Sequence, residues 1–118
     1  MASSEVSATP AVIDLTKQPT AQEVLVVELI NRARANPDLE ATRLGIGLND
    51  GITGTQITNS PKPPLAHNLL LIESSRVHSQ WMLDADVFSH TGETNSTPHE
   101  RMQAAGYTFT GNWTSGEN

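Results

Sequence analysis

The sequence predicts an α+β domain, helix-dominated in the portion present. Three observations predict it. Two long segments place apolar residues at helical spacing behind good N-caps, and a shorter third opens with proline at its first position. One stretch near the C-terminus alternates aromatic residues with threonine, as a half-buried strand does.

Residues 1–20 are small, polar and proline-punctuated, and read as a leader or linker that orders only by packing on the domain. The first helix follows. Thr20 and Glu23 form a capping box, in which hydroxyl and carboxylate satisfy each other's backbone N–H groups. Val26, Leu29, Ile30 and Ala33 recur on one side, and Glu28 with Arg32 offers an i,i+4 ion pair on the other. Asn36-Pro37 ends this helix, since a residue before proline is pushed out of the helical region. The same pair starts a short second helix, which Gly45 closes. Residues 45–66 hold four glycines and three prolines and read as a long loop lying against the body. The next helix spans about Leu69 to Asp86 with Asn68 as N-cap. Its polar face carries Glu73, Arg76, Gln80 and Asp84. The opposite face carries Leu71, Ser75, His78, Met82 and Ala85. Thr97-Pro98-His99-Glu100 combines N-cap, proline at N1 and capping-box glutamate, and Gly106 stops that helix. Tyr107, Phe109, Gly111 and Trp113 then alternate with Thr108, Thr110, Asn112 and Thr114, which predicts the strand.

Composition narrows the function. The 118 residues hold 7 basic and 13 acidic side chains, a formal net charge of −6, which argues against a nucleic-acid partner. Cysteine is absent, which excludes a disulfide scaffold, a thiolate zinc site and a cysteine nucleophile. No apolar run is long enough for a membrane span, and no signal-peptide pattern precedes the domain. Phosphate loops, dinucleotide fingerprints and nucleophile elbows are also missing.

The four histidines carry what chemistry the residues offer. None sits in a local metal motif, and no two share i,i+4 spacing on a helix. His78, on an apolar face beside Trp81 and Met82, is either a buried histidine bonded to a loop carbonyl or a wall of a polar cavity. His90 follows Val87-Phe88-Ser89 in a loop that an apolar anchor would fix, a good position for ligand contact. His99, in the first turn of a helix, reads as a surface residue, and His67 as a neighbour of the Asn68 cap. Glu117, after Gly116, reads as a solvated turn carboxylate or as a site residue.

Taken in order, several pieces resemble the CAP superfamily, the SCP-like proteins that include cysteine-rich secretory, antigen 5 and pathogenesis-related 1 proteins. These pieces are Glu28-Leu29-Ile30-Asn31-Arg32-Ala33-Arg34, Leu65, Ser79-Gln80-Trp81-Met82 and Phe88-Ser89-His90-Thr91-Gly92. Pro98 with Arg101, Ala105-Gly106-Tyr107 and Gly116-Glu117-Asn118 continue the series. The Leu44–Asn49 segment makes the bacterial SCP-like branch the nearest in appearance. The resemblance covers residues 21–118 and implies the N-terminal portion of a CAP domain, an incomplete α-β-α sandwich with a central cleft. It implies a cleft tetrad of two histidines and two glutamates, with His90 as the first histidine, a metal ligand, and Glu117 as the first glutamate. His78 takes a cleft-wall position. The other two tetrad members come later in the family, beyond Asn118, so the chain is expected to be a fragment. A divalent metal, zinc above all, is then expected to bind weakly or not at all.

The resemblance implies an extracellular or surface protein, reached by non-classical export or from an incomplete N-terminus. Its leading function is cleft-based binding of a small molecule, lipid or metal, since relatives bind sterols and fatty acids. A metal-assisted hydrolase, with His90 holding the metal or orienting water and Glu117 as general base, is the second reading. A structural module of a larger exported protein is the third.

Overall fold

The computed structural model describes residues 13–118. Most of the expected leader, residues 1–12, lies outside the described residues. Four helices make up the regular structure: α1 (Ala21–Ala35), α2 (Pro37–Leu44), α3 (Leu69–Ala85) and α4 (Pro98–Ala104), with single 3-10 turns at Leu15–Lys17 and Glu93–Asn95. α1 packs on α2, and α3 on α4. No helix among the described residues is long and apolar enough to cross a membrane.

The helix starts follow the local chemistry. Thr20 Oγ1 accepts from the Glu23 N–H at 3.2 Å while Glu23 Oε2 accepts from the Thr20 N–H at 2.7 Å. Thr97 and Glu100 repeat the box at α4. Asn36 caps α2 through the Leu39 N–H, and Asn68 caps α3 through the N–H groups of Leu70 and Leu71. Three helices end alike, on a left-handed residue with the next N–H reaching back five residues. Gly45 and Gly106 serve α2 and α4. Asp86 (φ 53°) serves α3, with the Val87 N–H donating to the Met82 carbonyl at 3.1 Å.

The α+β expectation is overturned. The described residues contain helices and no strand, so the structure is all-α and not an α-β-α sandwich. Residues 107–114 have the alternation of a strand but no second strand to pair with. Unpaired, the segment folds its aromatic residues back onto α4. Trp113 stacks on His99 with ring centroids 4.5 Å apart and planes within 2°, and Phe109 tilts against both. His99 is therefore half-buried under two aromatic rings, not the surface residue its helix position suggested.

The helices share little core. Ala41 and Pro37 are buried, whereas Leu25, Val26, Leu29, Leu69, Leu70, Val77 and Leu83 keep much of their surface in solvent. The radius of gyration is 19.6 Å, against about 13 Å for a compact domain of about 100 residues. On α3 the buried residues are Ser74 and His78, with His78 turned towards the loop after the helix; of the predicted buried face, Ser75 and Ala85 are exposed.

Polar side chains do much of the joining. Asn31 on α1 behaves like a strand edge towards the loop, donating to the Leu65 carbonyl at 3.0 Å and accepting from the Leu65 N–H at 2.7 Å. Arg34 donates to the Pro63 carbonyl, and the Lys62 N–H returns to the Arg34 carbonyl. Arg32 makes a two-pronged pair with Glu40 of α2, at 2.9 and 2.8 Å, in place of the expected pair with Glu28, and Arg43 joins the same carboxylate. Arg76 on α3 bonds both oxygens of Glu23 and the backbone carbonyls of Thr16 and Gln18, tying α1 and the segment before it to α3. The Arg76 hydrogen bond, then the Thr20 N–H, hold Glu23 down to about 2.

Two outcomes follow from these ties. Asn31→Ala loses both bonds to Leu65 and should cost about 1–2 kcal/mol in urea unfolding, with faster amide exchange at Leu65. Folding makes Glu23 more acidic, so its contribution is whole above about pH 4.5 and drains away as the pH falls towards 2. Melting followed by circular dichroism across that window should show a loss of stability that Glu23→Gln flattens.

Candidate functional site

Four segments meet where α3 ends. α3 supplies His78, the turn after it supplies His90, α4 supplies Arg101 and the C-terminal stretch supplies Glu117. The left-handed Asp86 turns the chain off the end of α3 so that residues 87–92 run back beside it. Ser89 is the anchor of this turn: its carbonyl accepts from His78 Nε2 at 2.8 Å, and its hydroxyl accepts from the Thr91 N–H at 3.0 Å. Phe88, the apolar anchor expected from the sequence, is 96% exposed and anchors nothing. The turn is held instead by a buried histidine, 5% exposed.

His90 and Glu117 come together from 27 residues apart, with Nδ1 to Oε1 at 2.9 Å. The second carboxylate oxygen, Oε2, accepts from Arg101 Nη2 at 2.7 Å, and Arg101 Nη1 donates to the Ser96 carbonyl at 2.7 Å. His78 Nε2 lies 3.9 Å from Oε1 of the same carboxylate. Burial pushes the Glu117 carboxyl up, but hydrogen bonds from His90 and Arg101, with the charges of Arg101 and His78, outweigh it and hold the group below the ordinary carboxylate range. An ionised carboxylate only accepts, so His90 Nδ1 carries the hydrogen, and in the neutral imidazole Nε2 keeps its lone pair. His90 is 68% exposed in its side chain, leaving that lone pair open to a partner.

Arg101 is the residue that reasoning about the site from sequence missed. It stood among the resemblance residues with no role of its own. Its signal was faint: a lone arginine in a short helix that carries no second basic residue. His67 lines a different depression, between α1 and α3, and His99 belongs to the aromatic cluster.

The donor set does not suit a resident zinc ion. Such a site takes three or four protein ligands. Among the described residues no group of three or more His, Asp or Glu, the His78, His90 and Glu117 set included, is arranged to hold a metal ion. His90 offers one free nitrogen, Glu117 has both oxygens engaged, and His78 Nε2 is committed to Ser89.

The site opens into a cavity of about 170 Å³ lined by Ser75, His78, Met82, Phe88, His90 and Glu117, among others. A trough of about 470 Å³, walled by Leu83, Val87 and Phe88, shares Ser79, Met82 and Phe88 with it. A wider groove of about 790 Å³ runs between α1 and α3 past Val26, Val27, Leu71 and Ile72, and Ser79 borders all three depressions. Compared with protein-family models, curated proteins and solved structures, the chain matches none.

The carboxyl carbon of Glu117, followed by NMR, should titrate below an ordinary glutamate, and Arg101→Ala should move its midpoint up. Stability linked to this group is whole above the ordinary glutamate pKa of about 4.3 and is lost as the pH falls below it.

Proposed function

We propose that the chain is an exported protein of the bacterial SCP-like branch of the CAP superfamily, and that its cleft binds an amphiphile. The ordered motifs from Glu28 to Asn118 support the family reading. The observation that carries the ligand reading is adjacency: the polar pocket at His90 and Glu117 shares Ser79, Met82 and Phe88 with a neighbouring, mostly apolar trough. Binding sites of this kind are apolar with a few placed polar groups. The head of the ligand donates a hydrogen bond to His90 Nε2, and its tail lies on Met82, Leu83 and Phe88. The site favours a neutral, donating head such as a hydroxyl, because the positive charge of Arg101 is spent on Glu117 and the atom on offer is an acceptor. Zinc has no part in this reading, given the donor set. Glu117 is spent on His90 and Arg101, so the atom available for any proton transfer is His90 Nε2.

Displacement of an environment-sensitive apolar dye by dodecanol tests it. Dodecanol should compete, His90→Ala should weaken it about threefold to tenfold, the worth of one hydrogen bond, and Met82→Asp should abolish it. Equal dodecanol affinity in wild type and His90→Ala would overturn the reading.

A further inference from the structure

We infer that Arg101 is the positioning residue of this site: by pinning one oxygen of Glu117 it fixes which nitrogen of His90 carries the hydrogen. The inference rests on the reading of His90 Nε2 as the atom that meets the ligand. Glu117 sits on a stretch of chain with no ladder or helix to hold it, and its side chain is its main tie to the rest of the structure. Arg101 is the firm end of that tie. Its side chain is 11% exposed, and Nη1 is locked to the Ser96 carbonyl, which also receives the Gly92 N–H at 2.9 Å. The guanidinium therefore belongs to a closed turn, residues 92–96, and presents Nη2 in one direction.

That direction decides the rest. With Oε2 held at 2.7 Å, the carboxylate can aim only Oε1 at the imidazole, and it meets Nδ1 at 2.9 Å. A free neutral histidine favours the hydrogen on Nε2; this carboxylate forces it to Nδ1 and frees Nε2. A lysine would not serve, because a single ammonium lacks the rigid fork that spans the Ser96 carbonyl and Glu117 together.

Gly92 shows how closely the guanidinium is seated. A Cβ there would lie 2.6 Å from Ser96 Oγ, 2.9 Å from Arg101 Nη1 and 3.2 Å from His78 Nδ1. Its φ of −98° suits any residue, so alanine at this position acts, with no backbone penalty, as a wedge against Ser96 and Arg101, the hydrogen-bonded pair that seats the guanidinium.

Nitrogen NMR of the His90 ring tests this, at about pH 8.5, well above the ordinary imidazole pKa of about 6.5. Wild type should show a protonated Nδ1 and a bare Nε2. Arg101→Lys and Gly92→Ala should each turn the ring into a mixture in which Nδ1–H is the minority, while the amide signals of residues 98–104 keep their helical shifts. Free guanidinium ion added to Arg101→Ala should restore the Nδ1–H signature. A purely structural role for Arg101 would disturb the helix and give no rescue. A His90 ring that stays Nδ1–H in both Arg101→Lys and Gly92→Ala, or that lacks Nδ1–H in wild type, overturns the inference. Dodecanol takes no part in this measurement, so a failure of the amphiphile reading is scored separately.

Discussion

Backbone groups outside helices and sheets must find hydrogen-bond partners elsewhere if their course is to be fixed, and about half of the described residues lie outside helices. Without a sheet among the described residues, those partners are side chains. Asn31 answers Leu65, Arg34 answers Pro63, Asn49 bonds both the N–H and the carbonyl of Ile57, and Arg76 collects the carbonyls of Thr16 and Gln18. Arg101 does the same for Ser96. Each such bond is worth only about 1 kcal/mol net. Their importance is positional: they fix where irregular segments run, and the site is built from one of these segments and the end of another.

This division explains what was legible in the sequence. Caps are local, so Thr20 with Glu23, Asn36, Asn68 and Thr97 with Glu100 mark helix starts that the structure keeps. Long-range partners are not local. The spacing of Glu28 and Arg32 suggested a pair along α1, but α2 folds back close enough for Glu40 to take both prongs of the guanidinium. The aromatic alternation of residues 107–113 was a true pattern with the wrong consequence. Period two says that alternate side chains share a face; it does not supply a neighbouring strand, and the face found His99 instead.

The site shows the same limit. His90 and Glu117 were singled out on resemblance, and they meet; no spacing rule connects residues 27 apart. An apolar anchor in Val87-Phe88-Ser89 was expected to hold the turn, but Phe88 is 96% exposed. The turn is held by polar geometry, with a histidine ring reaching a carbonyl from the buried side of α3. Arg101 escaped notice because an arginine on a short helix has no distinguishing local mark, and its partners Ser96 and Glu117 lie on opposite sides of it in the chain.

The exposed leucines and valines of α1 and α3 have a thermodynamic meaning. The heat capacity of unfolding comes mainly from apolar surface newly wetted, about 12–15 cal/mol/K per residue in ordinary domains. Here Leu25, Val26, Leu69, Val77 and Leu83 are already wet in the folded state, and of the described apolar side chains only Ala41 and Pro37 are buried. Unfolding has less apolar surface left to wet than in a domain with a closed core. The heat capacity of unfolding and the denaturant slope should both fall below those of an ordinary domain of this length, because both scale with the same surface. Salt and pH, which act on the Arg76–Glu23 and Arg101–Glu117 pairs, then reach the ties between segments directly.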